Sequence, residues 1–230
     1  MNIRLIFNHL LPRNCLLCGS VSGAGQLCPA CLADLPWHTQ AQCPQCATPT
    51  PLGQTCGACL KRPPAFERTV AALGYAFPLD RLIPRLKYQG RLAIAPALGE
   101  CLARAVEDTP APDRLIAMPL HAKRIQERGF NHATEIAREV AKRLNLPLDT
   151  DSCQRTRDTP PQMGLKHDAR RRNLRGAFAC PGDVQGLHIA LIDDVMTTGT
   201  SLGELAATLK RAGARAVTCW VAARTLPPGD

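Results

Sequence analysis

A strand, a pair of acids and a hydroxyl-rich loop follow one another between residues 186 and 201, and this stretch constrains the fold more than any other. An apolar run over 187–192 follows Gly186 and ends at two adjacent carboxylates, Asp193 and Asp194. A short apolar run that stops at charged residues is typical of a buried strand in an α/β sheet whose end faces a ligand crevice. The residues after the acids open a helix with an apolar face, and a helix N-terminus favours a bound anion. The stretch therefore predicts a strand, loop and helix that bind a phosphorylated ligand.

The order of side chains in this stretch also indicates what the ligand is. Two acids beside an anion-binding loop suit a molecule with vicinal hydroxyls next to a phosphate, which describes a ribose 5-phosphate. Asp193 and Asp194 would hold the hydroxyls and an associated metal ion. The phosphate would be held by the five residues of the loop and helix start: Thr197, Thr198, Gly199, Thr200 and Ser201. The alternative is a strand end with solvated acids, followed by an ordinary helix capped by Thr or Ser.

The N-terminal quarter of the chain contains a cysteine repeat. Eight of the twelve cysteines form four Cys-x-x-Cys pairs: Cys15/Cys18, Cys28/Cys31, Cys43/Cys46 and Cys56/Cys59. Moving the first two pairs by 28 positions superimposes them on the last two, so the unit is duplicated. Four thiolates at this spacing bind one tetrahedral structural Zn²⁺, without an open position for catalysis. The pairing that closes one site per repeat is favoured, and an interleaved pairing stays open.

Composition narrows the class of protein. The net charge of +9 suits an anionic partner, either a phosphorylated small molecule or a nucleic acid. There is no apolar run long enough for a membrane span. The N-terminus does not resemble a signal peptide, and cysteines in a chain without an export signal indicate metal or thiol chemistry in a reducing compartment. We therefore expect a cytoplasmic protein.

The second half of the chain alternates between strand-like and helix-like patterns. A proline-containing linker at 62–65 separates it from the cysteine repeat, which predicts a zinc-ribbon domain over 1–62 and a second domain over 67–230. Strands are expected near five positions: 69–77, 114–118, 146–153, 187–193 and 216–223. Strands interleaved with helices predict an α/β fold with a doubly wound parallel sheet.

Basic residues cluster in three predicted turns or loops of this second half. Lys87 lies in a basic turn after a predicted helix, and Arg124 and Arg128 lie in a loop after the second strand. A third segment, over 155–175, is rich in arginine. These loops have the composition to bind pyrophosphate, although solvated basic loops or contacts to a nucleic-acid backbone are alternatives.

The sequence LIDDVMTTGTS at 191–201 resembles the phosphoribosyl-pyrophosphate (PRPP) binding motif of the type I phosphoribosyltransferase fold. The Pro-x-His…Arg-Gly-Phe-Asn run over 119–131 and the Thr-x-x-Gln-x-x-Leu…Gly-x-Phe run over 159–178 are similar to the ComF/GntX family of competence and DNA-utilisation proteins. The cysteine repeat also matches that family, so the resemblance covers nearly the whole chain. It implies a type I phosphoribosyltransferase-like domain preceded by a small Cys-rich double zinc ribbon.

The resemblance also implies roles for individual residues. Lys87 resembles a lysine that approaches the pyrophosphate, and Arg124, Arg128, Asp193 and Asp194 are the candidate catalytic residues. A mobile loop that closes over pyrophosphate would include five residues: Arg155, Gln162, Arg170, Arg172 and Asn173. Mg²⁺ would accompany PRPP, and phosphoribosyl would pass to an unidentified acceptor. The family further implies a part in DNA uptake or utilisation, with single-stranded DNA and competence or DNA-processing proteins as partners.

One departure from related enzymes limits the substrate. Purine-salvage members of the fold often carry an Asp two residues before the loop glycine, where this chain has Thr197, so purine salvage is disfavoured. The alternative function is a non-catalytic, zinc-ribbon DNA-binding adaptor that uses the PRPP site as a sensor. With only two Trp, two Tyr and five Phe, the chain has few residues for the base-stacking platform of dedicated single-strand binders.

Overall fold

A computed structural model describes residues 13–23, 25–158 and 174–226 of the chain. The cysteine-rich segment contains little regular structure. Two short strands, β1 (Arg13–Asn14) and β2 (Val21–Gly23), pair antiparallel. Two helices of one turn each follow, α1 (Pro29–Ala33) and α2 (Gly57–Lys61). Each helix begins directly after the first cysteine of a Cys-x-x-Cys pair, Cys28 or Cys56, so the second cysteine of the pair is one turn away and faces the first.

The rest of the described chain forms a five-stranded parallel sheet. Its strands are β3 (Arg68–Gly74), β4 (Arg114–Ala117), β5 (Leu148–Asp149), β8 (His188–Met196) and β9 (Ala216–Arg224). Their order across the sheet is β3-β9-β8-β4-β5. Two further short strands, β6 (Gln154–Arg155) and β7 (Phe178–Ala179), form a separate antiparallel pair. The central position of β8 explains its composition, because its residues 189–192 are completely buried on both faces of the sheet.

Within the described residues, five helices connect and cover the strands. They are α3 (Leu79–Gln89), α4 (Ile94–Val106), α5 (Ala122–Arg128), α6 (His132–Leu144) and α7 (Thr200–Arg211). Helices α4 and α6 pack against each other and against the sheet, whereas α7 packs against β7, β8 and β9. The apolar stripe of α6, including Ile136 and Val140, is buried. No helix within the described ranges is long and apolar enough to cross a membrane.

The structure differs from the predicted elements at several boundaries. The strand expected over 69–77 ends at Gly74, and Lys87, expected in a turn after a helix, lies in the last turn of α3. The strand expected over 187–193 continues to Met196, so Asp194 as well as Asp193 lies inside β8. The segment expected as a basic loop contains helix α5, which carries Arg124 and Arg128, because His121 caps its N-terminus by accepting from the backbone N–H of Lys123. The strand expected over 146–153 is reduced to the two residues of β5.

The cysteine-rich segment lies against β3, an edge strand of the sheet. The backbone N–H of His38 donates to Ala72 O at 2.9 Å, and the N–H of Gly74 donates to Pro36 O at 2.7 Å. Trp37 and Leu73 form an antiparallel bridge between the same two segments. Paired in this way, the edge of β3 is covered and unavailable to other chains. The division into domains at 62–67 remains a proposal, since backbone hydrogen bonds join the two parts.

Candidate functional site

Two adjacent acids at the carboxyl end of β8 form the centre of the candidate site. Successive side chains of a strand point to opposite faces, so Asp193 and Asp194 have different surroundings. Asp194 is 2% exposed, and Asp193 is half-buried. The backbone N–H of Asp194 donates to Asp193 Oδ1 at 2.9 Å. The two acids can therefore perform different tasks.

Lys87, from the last turn of α3, is the principal cation beside Asp194. Its Nζ lies 2.5 Å from Asp194 Oδ2, and its side chain is 23% exposed. Burial by itself would raise the pKa of Asp194, but Lys87 and then His132 lower it well below its usual range. Burial and the neighbouring charge of Asp194 raise the pKa of Asp193 well above its usual value. The pair thus carries its negative charge mainly on Asp194.

His132 is a site residue that the sequence analysis missed. It is buried at the start of α6, with Nε2 3.4 Å from Asp194 Oδ1 and Nδ1 2.8 Å from Arg128 Nη1. A guanidinium can only donate, so Nδ1 accepts and Nε2 carries the proton that faces Asp194. Asn131 caps α6 through Ala133 N and donates its Nδ2 to Met118 O, which holds His132 beside the sheet. A cap residue followed by a histidine at the start of a helix is a weak sequence signal for such a position.

The predicted basic residues divide into two groups around the acids. Arg128 reaches Asp194 through His132, and its guanidinium lies 5.5 Å from the ring centroid of Tyr88. Arg124 pairs with Glu127 at 3.3 Å on the exposed side of α5. The pKa of Arg155 lies below its usual value, chiefly because the side chain is buried. The charge of Arg124 also lowers this pKa, whereas the charges of Asp158 and Asp193 raise it. Arg155 thus lies within electrostatic reach of Arg124 and Asp193.

The loop over 197–201 connects the acids to α7. Gly199 is the residue before α7 and has φ 72°, a conformation that favours glycine. The hydroxyls of Thr198 and Thr200 are hydrogen-bonded to each other at 2.8 Å. Thr197 and Thr198 are exposed, and Ser201 lies in the first turn of the helix. The loop therefore presents hydroxyls and the N-terminal N–H groups of α7 beside the acids, an arrangement that suits an anion. Four of the predicted residues, Gln162, Arg170, Arg172 and Asn173, lie outside the described residues.

Two four-cysteine clusters form in the N-terminal segment. In each cluster the four sulfur atoms lie within 4.8 Å of one another; the first contains Cys15, Cys18, Cys28 and Cys31, and the second contains Cys43, Cys46, Cys56 and Cys59. This confirms the sequential pairing and excludes the interleaved one.

The chemistry of the clusters fits a zinc ion. Burial raises the pKa of Cys15, but the backbone N–H groups of Cys18 and Cys28 lower it to about 6. The hydrogen bond with Cys18 and burial raise the pKa of Cys31 to about 12. Four sulfurs this close cannot all ionise without a cation among them, and a closed set of four thiolates is the usual structural Zn²⁺ site.

Comparison with known proteins finds a matching domain family, similar proteins and a similar solved structure. Residues 6–60 match the double zinc ribbon domain family. DNA utilization protein YhgH of Escherichia coli strain K12 is 39% identical over 173 residues, which cover 73% of this chain and 76% of the relative. Competence protein F of Haemophilus influenzae is 32% identical over 174 residues, covering 72% and 76% of the two chains. A solved structure, the purine phosphoribosyltransferase of Pyrococcus horikoshii Ot3, aligns over 70% of this chain and 94% of its own, with 15% identity and a TM-score of 0.34.

Fold and cysteine clusters define the class as an α/β protein with a five-stranded parallel sheet and an N-terminal, cysteine-rich zinc ribbon region. The chain belongs to the ComF-like family, whose members include DNA utilization protein YhgH and competence protein F. Both the fold class and the family predicted from the sequence are confirmed.

Proposed function

We propose that this protein binds PRPP at the carboxyl end of β8 and transfers its phosphoribosyl group to an acceptor. The observation that carries the proposal is the convergence of Lys87 and His132 on Asp194, directly beside the 197–201 loop and the start of α7. Cations, acids and an anion-binding loop are the three elements that a sugar with a phosphate and a pyrophosphate requires. The family resemblance supports the same ligand.

Each part of the site has a separate task in this proposal. Asp193 and Asp194 accept hydrogen bonds from the ribose hydroxyls, since both lie where the central strand ends. The 197–201 loop and the first N–H groups of α7 hold the 5-phosphate. Lys87 and Arg128 stabilise the charge that develops on the departing pyrophosphate, with Arg124 and Arg155 at the periphery. An acceptor nucleophile attacks the anomeric carbon as the bond to pyrophosphate breaks.

The site also suits Mg²⁺ bound together with PRPP. Carboxylate oxygens are the donors that Mg²⁺ prefers, and Asp193 supplies one that has no cation at hydrogen-bonding distance among the described residues. Asp194 is already neutralised by Lys87, so Asp193 is the residue we assign to the ion or its water shell. When bound, Mg²⁺ neutralises charge on the pyrophosphate oxygens.

Lys87 has two partners available in this proposal. Without a ligand it neutralises Asp194, which would otherwise be a buried charge of high cost. When ribose hydroxyls bind Asp194, the ammonium is free to turn toward the pyrophosphate.

The biological setting of this activity is proposed from the family. The relatives are named for DNA utilisation and competence, and the positive net charge is compatible with single-stranded DNA and DNA-processing proteins as partners. The thiolates of the two clusters require a reducing environment, so we propose a cytoplasmic location.

A second candidate function is a DNA-binding adaptor that senses PRPP without turnover. The two cysteine clusters favour it, because the segment that contains them makes up about a quarter of the described chain and closed four-cysteine sites have no open position for catalysis. Under this function PRPP binds but no acceptor stimulates release of pyrophosphate. Nucleic-acid binding would fall steeply with salt concentration, since phosphate contacts would dominate it.

Titration calorimetry of PRPP with Mg²⁺ into the zinc-loaded protein tests the proposal. We expect binding to the native protein and none to the Asp193→Asn/Asp194→Asn variant, with Asp151→Asn as an exposed control that binds normally. Because the double variant leaves Lys87 without its acid, Asp193→Asn is measured alone as a milder change. Circular dichroism and zinc content verify that each variant is folded. Affinity retained by the double variant contradicts the site, and binding without pyrophosphate release from any acceptor favours the sensor.

A further inference from the structure

Arg224 joins the cysteine-rich segment to the 197–201 loop. It is the last residue of β9, lies opposite Met196 in the sheet register and is 7% exposed. Its guanidinium donates from Nη1 to Thr197 O at 2.6 Å and to Met196 O at 3.0 Å. From the other side, Nε donates to Cys46 O at 2.8 Å and Nη2 donates to Thr48 Oγ1 at 2.9 Å. One buried side chain thus contacts both the start of the loop and the turn at residues 43–48, which contains Cys43 and Cys46 of the second cluster and is called the knuckle below.

The contacts leave Arg224 a positioning role and not a ligand-binding one. Nη1 also donates to Thr225 O at 2.5 Å, so Nε, Nη1 and Nη2 each have a protein acceptor. The fork of the guanidinium fixes these acceptors relative to one another, which a single ammonium cannot do. Thr197 is an exposed residue of the loop, and the buried Arg224 guanidinium donates a hydrogen bond to its carbonyl oxygen.

The knuckle at the other end of this contact is itself firmly held. Four consecutive carbonyl oxygens, of residues 44–47, take part in hydrogen bonds with groups outside the knuckle. Thr69 of β3 donates its N–H to Pro44 O and its hydroxyl to Gln45 O, at 3.1 and 2.5 Å. His38 Nε2 lies 2.7 Å from Ala47 O, and Ala47 has a positive φ of 54°. A conformation that is unfavourable for alanine persists because the surroundings impose it.

Zinc in the second cluster would complete this arrangement. Cys46 is one of its four cysteines, and its sulfur is hydrogen-bonded to Thr48 Oγ1 at 3.3 Å. A bound ion would fix the position of Cys46, and the same residue's carbonyl fixes Arg224. The first cluster has no comparable contact with Arg224 among the described residues.

We propose that the second cysteine cluster sets the conformation of the 197–201 loop through Arg224, so that loss of zinc there weakens PRPP binding. The proposal rests on the proposed function for its ligand, but the coupling between cluster and loop is independent of it. Coupling between two ligands is reciprocal, so PRPP would also slow the loss of zinc from the second cluster. The ribbon is then part of the binding site and not merely an attached module.

Two variants of the full chain test the role of Arg224. Arg224→Lys keeps the charge and removes the fork, and Arg215→Lys is the control because Arg215 donates to Gly186 O at the other end of β8. Amide hydrogen exchange over 198–203 is measured without ligand, and the affinity for PRPP with Mg²⁺ is measured by calorimetry. We expect Arg224→Lys to retain two zinc ions, to exchange faster in the loop and to bind PRPP about 10-fold more weakly or worse, as when a residue that orients ligands is lost. Arg215→Lys should behave like the native protein.

Two double-cysteine variants test the role of zinc. They also test the coupling between cluster and loop if Arg224→Lys does not fold. Cys56→Ser/Cys59→Ser removes the second ion, and Cys28→Ser/Cys31→Ser removes the first. Faster loop exchange in the second-cluster variant alone supports the proposal. Equal exchange in both, or native exchange in Arg224→Lys, overturns it. If the native protein binds no PRPP, the proposed function fails, and the exchange data still decide the coupling.

Discussion

At the scale of single residues, the candidate site is organised around one buried carboxylate. Asp194 is 2% exposed and interacts with Lys87 on one side and with His132 on the other. A buried ion pair does not by itself stabilise a fold, but removal of one partner leaves an uncompensated charge. The stability of the site therefore depends on the pair and not on either residue.

We predict that Lys87→Met destabilises the protein more than the same substitution at an exposed lysine does. Asp194 keeps His132 but loses its principal cation, so the free energy of unfolding should fall by about 2–3 kcal/mol, less than for a fully buried pair because the Lys87 side chain is 23% exposed. Adding Asp194→Asn to the same chain should restore part of that loss. Urea denaturation of zinc-loaded protein measures both, with Lys142→Met as the exposed control. A double variant less stable than Lys87→Met would contradict the coupling.

At the scale of elements, the unit that carries the site is β8, its loop and α7. Completely buried residues over 189–192 fix the strand, and the apolar stripe of α7, including Leu202 and Leu205, fixes the helix. Gly199 joins them with φ 72°. An added Cβ there would also lie 3.2 Å from Met196 Cε, so both conformation and space favour glycine.

We predict that Gly199→Ala and Gly186→Ala both lower the stability of the protein, but that only Gly199→Ala weakens PRPP binding. Both glycines have positive φ, so each substitution should cost about 1–2 kcal/mol of stability from backbone strain. Only Gly199 lies in the loop, since Gly186 precedes β8 at the opposite end and has open space around it. Thermal unfolding should show similar losses, whereas calorimetry with PRPP should show weaker binding for Gly199→Ala alone. Equal affinities would mean that the loop geometry is irrelevant to the ligand.

At the scale of the whole molecule, the cysteine-rich segment completes the sheet. Its backbone pairs with β3 at Ala72 and Gly74, and the knuckle of the second cluster accepts hydrogen bonds from Thr69 at the start of the same strand. An uncovered edge strand is a template for pairing with other chains. The segment has few large apolar residues, so metal must supply much of its folding free energy.

We predict that the protein contains two zinc ions and aggregates when they are removed. Metal analysis of the native chain should give two Zn²⁺, and Cys15→Ser/Cys18→Ser and Cys43→Ser/Cys46→Ser should each give one. Hydrogen exchange over 68–74 should accelerate mainly in the second variant, because that knuckle contacts β3. A single ion in the native protein would show that the two clusters are not equivalent.

Much of this architecture could be predicted because it depends on local patterns. The span of α6, from His132 to Leu144, follows from its apolar period and from the cap at Asn131, since both are encoded in neighbouring residues. The cysteine clusters followed from spacing in the same way. Helix α5 was missed because seven residues with few apolar side chains have no clear period. His132 was missed because its role comes from contacts with two other elements.

The parallel α/β fold, the two cysteine sets and the acid–loop motif were predictable, because each depends on residue types at short, regular separations. Tertiary contacts, in contrast, bring Lys87 and His132 to Asp194 and let Arg224 link Cys46 to the 197–201 loop. These partners are separated by between 27 and 178 positions along the chain, within no repeating pattern. Their contacts arise from strand order and helix packing, which bring together residues that no local rule relates.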